Sequence, residues 1–279
     1  MITAARTVIV GCGHMGLGIA KGLRGASPDR RLLAVDISAE RREELARSTD
    51  LHVAAELETA DTDLVVLAIP PQDFDAFALA ERHQFGPGTP VLSVMAGLTA
   101  DSISKALGTS QVVRSIPNTP SEVSEGMSVY YAGPAVSQET LAQADELLST
   151  IGRALRVDTE ELIDDATAIC GGGPAFVSYL LDAFCRFGVE RGFTEAASRE
   201  MAFQVFGGTA KLVAEVGKPP MQLCREVMTP NGTTERGIAA FEAAGLQGSL
   251  RAGLSASAHR SRELAHLMSG GVEHGKTDD

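Results

Sequence analysis

The sequence predicts a doubly wound, mainly parallel α/β domain followed by an all-α helical domain. Through the first half, short β-branched runs alternate with amphipathic, helix-like stretches, as in strands joined by crossover helices. Near Asp164 the strand-like runs cease and long helical periodicity takes over. A glycine-rich segment, Gly11-Cys12-Gly13-His14-Met15-Gly16, stands between the first strand-like run and the first helix-like one. Together these place the α/β domain at residues 1–163 and the helical domain at 164–279.

The candidate strands are residues 7–10, 32–35, 64–69, 91–94, 111–115 and 127–131. Leu64-Val65-Val66-Leu67-Ala68-Ile69 is apolar at every position, so both faces of that strand must be covered, as in a parallel sheet between helix layers. An edge strand would alternate instead. Loop signals follow most strands: Gly-Cys-Gly after the first, Pro70-Pro71, Ala96-Gly97, and Pro117-Asn118-Thr119-Pro120. In open α/β sheets, ligands bind at such carboxyl-end loops. Beyond residue 163 the helical stretches are 164–191, 194–216, 221–227, 233–244 and 246–268, divided by glycine and proline punctuation. The tail, 270–279, is small and charged and is expected to fray.

Composition excludes several function classes. A net charge of −12 repels phosphate backbones and anionic membrane surfaces, and Arg30-Arg31 and Arg41-Arg42 are only pairs. With three tyrosines and no tryptophan, stacked-base recognition is not expected. Neither nucleic acid nor membrane is therefore an expected partner. Cys12, Cys170, Cys185 and Cys224 have no metal-ligand or redox spacing and read as reduced small hydrophobes. His259 and His266 lie two turns apart on a helical stretch without a third ligand, so no metal is expected. The first strand begins within ten residues of the start, leaving no space for a signal peptide, and no apolar run approaches membrane-spanning length. A cytoplasmic location is expected.

Gly11 to Gly16 match GxGxxG, a weak signal alone, made specific by the strand before it and the helix from Met15 to about Leu23 after it. This is the arrangement of a Rossmann dinucleotide site. Gly11 permits the turn, Gly13 lets the backbone approach a pyrophosphate, and Gly16 allows close helix packing, with the helix N-terminus facing the negative charge. The alternative is a glycine turn that only joins strand to helix. Asp36 ends the second strand, 25 residues after Gly11, near the spacing of the acid that binds an adenosine ribose. A carboxylate there accepts from a 2′-hydroxyl and repels a 2′-phosphate, which favours NADH over NADPH. Asp36 as a helix cap or a plain exposed acid remains open, since Ser38 is also a candidate cap.

Two later segments are not routine packing. Cys170-Gly171-Gly172-Gly173-Pro174-Ala175-Phe176 puts three glycines and a proline inside one helical stretch. Each glycine costs about 1 kcal/mol and the proline about 3 kcal/mol against alanine. That penalty suggests a kink with a close backbone approach; a plain interhelical turn is the alternative. Val227 to Gly237 reads as a turn opening a helix, where amides and the hydroxyls of Thr233 and Thr234 can hold an anion and a polar atom. Ordinary capping by Thr233 would explain it too.

The ordered segments GCGHMGLGIAKGL, VVLAIPPQDF, SVMAGLT, VRSIPNTPSEVSEGM, GGGPAFVSYLLDAF, VMTPNGTTERGIAAFE and AGLSASAHRSREL resemble the pyrroline-5-carboxylate reductase family over nearly the whole chain. The PNTP and PNGTT segments are the most specific. The resemblance implies an oxidoreductase that reduces the cyclic imine 1-pyrroline-5-carboxylate to L-proline with NADPH or NADH, the last step of proline synthesis. It also implies a homo-oligomer, a dimer or a ring of dimers, whose helical domain pairs two subunits and completes the site. By resemblance, Val227, Gly232, Thr233 and Thr234 fall on substrate-contacting positions. Gly11, Cys12, Gly13, His14, Met15 and Gly16, with Ala68, Ile69 and Pro70 and with Ala96 and Gly97, fall on the cofactor side. Asn118 lies in the loop facing the site.

This chain departs from the family where His14 replaces asparagine, Asp36-Ile37-Ser38 an Asn-Arg-Thr-like stretch, and Pro70 lysine. Gly172 replaces serine and Ile116 methionine. The first three bear on cofactor preference and Gly172 on substrate fit. No acid–base dyad is visible, and none is needed, because a protonated cyclic imine accepts hydride directly. Thr234 is the candidate catalytic residue, bound to the imine nitrogen, with the amides near Gly232 and Thr233 holding the carboxylate. A related imine, piperideine carboxylate or a hydroxylated pyrroline, is the alternative substrate, and an inactive nucleotide-binding paralogue is the alternative class. A lysine-driven hydroxyacid dehydrogenase is disfavoured, because Lys211 lacks that family's surrounding pattern.

Overall fold

The computed structural model describes residues 6–59 and 64–269, and the expected fraying of the tail falls outside them. Eight strands form one sheet: β1 (Arg6–Val10), β2 (Arg31–Val35), β3 (His52–Ala54), β4 (Leu64–Leu67), β5 (Val91–Ser93), β6 (Val112–Ile116), β7 (Gly126–Ala132) and β8 (Gly152–Arg156). Their order is β3-β2-β1-β4-β5-β6-β7-β8, and every neighbouring pair is parallel except β6 with β7. The chain reverses its direction of winding between β1 and β4, which opens a crevice at their carboxyl ends. The sheet and its helices thus form the doubly wound Rossmann architecture, and further helices follow.

Alternation along the inner strands assigns each side chain to a layer. Ile9 and Val66 join Ile19, Leu23 and Leu147 of α1 (His14–Ala26) and α5 (Gln138–Thr150) on one face. Val8, Val10, Val65 and Leu67 join Phe74, Ile103 and Leu107 of α3 (Phe74–Glu81) and α4 (Ala100–Leu107) on the other. Each such aliphatic side chain contributes about 1.5–3 kcal/mol by leaving water. The helix α2 (Ala39–Ser48) follows β2.

Two strands lie outside the sequence expectation, and both are edge strands. β3 has only three residues, and β8, Gly-Arg-Ala-Leu-Arg, is mostly exposed, so neither carries an apolar run. Pairing with β2 and β7 makes them strands.

The helical part of the chain begins with α6 (Glu161–Ala166), which runs through a π-turn at Thr167–Gly171 into α7 (Gly173–Glu190). The glycine–proline segment therefore does not end the helix. The Gly172 amide bonds to the Thr167 carbonyl at 2.9 Å, a five-residue step, and Pro174 sits in the first turn of α7. Gly171 passes over Ile116, where an added Cβ would lie 3.4 Å from Cγ1. This continuity corrects the expectation about apolar length: among the described residues, Glu161–Glu190 is long and apolar enough to cross a membrane. Four helices follow: α8 (Glu195–Val216), α9 (Pro220–Val227), α10 (Thr233–Ala243) and α11 (Leu246–Ser269).

The chain divides into two compact units, one running to Gly173 and resuming at Ala256, the other Pro174–Ser255. In the first unit, the second half of α11 returns to α6. Ser261 Oγ donates to Asp164 Oδ1 at 3.2 Å, and Arg262 pairs with Asp165.

Candidate active site

The crevice between β1 and β4 opens into a cleft of about 780 Å³. Gly11, Gly13, His14, Met15, Asp36, Ala68, Ile69, Pro70 and Ala96 all line it, so residues from four separate strand ends meet there. Gly97 turns the chain just beyond, at φ +78°, while Cys12 is buried beneath the glycine loop. Burial, followed by the nearby Asp36 charge, pushes the Cys12 thiol from 9.0 up to about 12.

The three motif glycines have three different reasons. Gly11 has φ +86°, and a Cβ there would lie 2.8 Å from the Ala68 backbone, so the turn and the neighbouring strand both exclude a side chain. At Gly16 a Cβ would come within 2.0 Å of the Gly11 carbonyl oxygen, so α1 packs against its own entry loop only without one. At Gly13 a Cβ would meet nothing within 4 Å, and Gly13 lines the cleft, so its backbone is open to close approach. Gly13 is also the N-cap of α1 and has no side chain to bond the first-turn amides. They remain available to an anion, helped by the helix dipole. A dinucleotide's pyrophosphate fits this cradle.

Asp36 is held by main-chain amides on both oxygens. Oδ2 accepts from Cys12 N at 3.0 Å and Oδ1 from Ser38 N at 2.9 Å. Ser38 Oγ accepts from Arg41 N and is the cap of α2, so Asp36 is not that helix's cap. Each carboxylate oxygen retains a lone pair for a hydroxyl. Ile37 is 94% exposed at the rim, and Arg41 lines the cleft, whereas Arg42 donates to the Asp36 carbonyl at 2.7 Å. Leu57 and Phe77 also line the wall. The sequence reading missed these two because nothing in a coil after β3 or on the face of α3 marks a ligand contact.

Asn118 is buried, and its Oδ1 accepts from Met127 N at 2.8 Å, which shapes the link between β6 and β7. Gly172 sits at the exit of the π-turn. On α1, Lys21 donates to Glu122 at 2.5 Å and holds that carboxyl below the ordinary range.

In the second unit, Val227 ends α9 and is 60% exposed. Asn231 takes φ +60°, and its amide donates to Glu235 Oε2 at 2.6 Å, fixing the turn against the helix it opens. Gly232 is the N-cap of α10, where a Cβ would meet Thr229 Oγ1 at 2.2 Å. Thr233 is therefore the first helical residue and not the cap. Ordinary capping by Thr233 is excluded, and the first-turn amides lack a side-chain cap.

Comparison with known proteins agrees with this architecture. Residues 160–264 match the family described as "Pyrroline-5-carboxylate reductase dimerisation", and residues 6–97 match "NADP oxidoreductase coenzyme F420-dependent". A pyrroline-5-carboxylate reductase of Pseudomonas aeruginosa is 35% identical over 272 residues, covering 96% of this chain and 99% of that protein. The solved pyrroline-5-carboxylate reductase of Coxiella burnetii superposes with TM-score 0.83 at 26% identity, covering 94% of this chain and 99% of its own. The Plasmodium falciparum pyrroline carboxylate reductase, solved with NADP bound, has the same fold with TM-score 0.86 at 22% identity, covering 95% and 100%. With a relative this similar along almost its whole length, the chain belongs to the pyrroline-5-carboxylate reductase family.

Proposed function

We propose that this chain reduces 1-pyrroline-5-carboxylate to L-proline, the last step of proline biosynthesis, with hydride from a nicotinamide dinucleotide. The observation that carries the reading is the uncapped start of α10, whose Gly232-Thr233-Thr234 pattern lies in a chain 35% identical to a pyrroline-5-carboxylate reductase. The dinucleotide supplies the hydride when bound. In the first unit, the amides of α1 and the space at Gly13 hold its pyrophosphate, and Asp36 holds the adenosine ribose. NADH is the better donor, because Asp36 repels a 2′-phosphate and Ile37 offers it no cation.

In the second unit, the α10 amides with Thr233 bind the substrate carboxylate. Thr234 Oγ accepts from the protonated imine nitrogen and keeps that bond as the iminium becomes an amine. Val227 flanks the ring, and the catalytic role falls on Thr234. The imine carries its own proton, so no side chain needs to deliver one. Gly172, where the resemblance leads one to expect serine, favours a second reading in which the preferred ring is piperideine carboxylate or a hydroxylated pyrroline.

The chain works as a homo-oligomer, as a dimer or a ring of dimers. Residues 160–264 match a dimerisation family, and α7 and α8 leave Tyr179, Phe187, Phe203 and Val205 half or more exposed. The test is oxidation of NADH and NADPH with racemic 1-pyrroline-5-carboxylate beside the larger and hydroxylated rings. Turnover of the pyrroline ring with NADH ahead is expected; turnover of none of them would end the reading.

A further inference from the structure

Arg114 on β6 is 2% exposed and is the largest fully buried side chain of the first unit. A guanidinium so buried needs compensation. It has Glu160 Oε1 at 3.2 Å from Nη1 and Asp164 Oδ1 at 2.8 Å from Nη2. The same Glu160 oxygen also accepts from the Ala100 amide at 2.8 Å.

Ala100 is the first residue of α4, and the loop before it contains Ala96, which lines the cleft, and Gly97. Thr99, the N-cap of α4, accepts from Ser102 N at 3.1 Å, so the Ala100 amide is a different donor, one that the cap leaves open. A carboxylate at a helix N-terminus satisfies that donor and suits the helix dipole. Glu160 comes from 60 residues further along the chain, so no local turn chemistry holds it at Ala100. Arg114 does. Had the loop needed only a cap, Thr99 would have served alone.

We infer that Glu160, anchored by Arg114, is a positioning residue for the cofactor, fixing the Ala96–Gly97 loop through the Ala100 amide. Glu160 does not itself line the cleft. It acts by holding the start of α4, so that the loop closes the β5 side of the cleft in one conformation. The inference rests on the reading of the cleft as a dinucleotide site and is separable from the identity of the imine.

The test compares wild type, Glu160→Ala and Glu160→Gln, reading NADH Kd from nicotinamide fluorescence and amide exchange in the peptide that contains Ala100. Glu160→Ala should weaken NADH binding about tenfold, the effect of one lost charge-assisted hydrogen bond, and should speed exchange at Ala100. Glu160→Gln keeps an acceptor oxygen and should stay within about threefold of wild type. KM for the imine should not move in either. Should Glu160→Ala not fold, Arg114→Lys replaces it: one ammonium does not span both carboxylates, so Glu160 loses its anchor and the same weakening is expected. Unchanged NADH affinity in the folded variant overturns the inference, as does an equal loss in Glu160→Ala and Glu160→Gln. A wild-type protein that binds NADH but reduces no imine leaves this inference standing while ending the proposed reaction; one that binds no dinucleotide overturns both.

Discussion

Asp36 Oδ2 accepts a hydrogen bond from the Cys12 amide at 3.0 Å, tying the end of β2 to the glycine loop. The acid proposed to select the ribose thus also fixes the loop proposed to receive the pyrophosphate. NADH should therefore exceed NADPH in kcat/KM. Asp36→Ala should weaken NADH by roughly tenfold or more, since it removes the ribose bond and frees the loop, while NADPH gains relative to it. A wild-type enzyme with the higher kcat/KM for NADPH would remove Asp36 from the ribose.

Glycine substitutions should separate stability from binding. Gly16→Ala forces a methyl within 2.0 Å of a backbone oxygen and should cost about 2 kcal/mol or more, seen as a lower denaturation midpoint. Gly13→Ala meets no protein atom, so the midpoint should hold while NADH affinity falls at least about tenfold. If Gly13→Ala binds NADH normally, the pyrophosphate lies elsewhere.

Thr234→Val keeps shape and removes the hydroxyl, which should cost about 1.5–3 kcal/mol in the transition state, or roughly ten- to a hundredfold in kcat. Thr233→Val should raise KM for the imine more than it lowers kcat, because the carboxylate is bound alike before and during reaction. Melting temperatures of both should stay near wild type, since the N-cap of α10 is Gly232. A Thr234→Val enzyme within about twofold of wild type in kcat would take the imine nitrogen away from this hydroxyl.

Cys12 ties stability to alkaline pH. Its folded-state pKa, raised from 9.0 to about 12, exceeds that of the unfolded chain, so the folded protein holds the proton longer. The stability it contributes is full below about pH 9 and is lost as pH rises towards about 12. Tyr130, raised from 10.0 to about 12 by burial and by its bond to Asp145, adds a loss of the same sign. Chemical denaturation from pH 8 to pH 11 should show a shallower decline in Cys12→Ala than in wild type. Identical declines would mean that the thiol is not buried in solution.

Light scattering at micromolar concentration should give at least twice the 29.2 kDa chain mass. Replacing Phe187 and Phe203 with serine should shift the population towards monomer if those exposed rings meet a second copy. A stable wild-type monomer would contradict the homo-oligomer.

What the sequence determined by itself is local or periodic. Runs such as Leu64 to Leu67 must be buried on both faces, so the inner strands and their mainly parallel pairing were legible in the apolar pattern, while their order in the sheet was not. Gly11 and Gly16 were legible because each answers a backbone constraint within a few residues or from the adjoining strand, and Gly13 because the spacing of the motif places it between them. Tertiary structure decided whatever depends on residues far apart in the chain. β3 and β8 are strands only because β2 and β7 lie beside them. The Gly171-Gly172-Gly173-Pro174 run stays helical because one π-turn absorbs it, a choice that local propensity opposes. Leu57 and Phe77 became cleft walls through the packing of a coil and a helix. Arg114, an ordinary cation in an apolar strand, meets Glu160 and Asp164 only when α6 folds back over β6. Periodicity reports which face of an element is buried, and only the assembled sheet reports what that face touches.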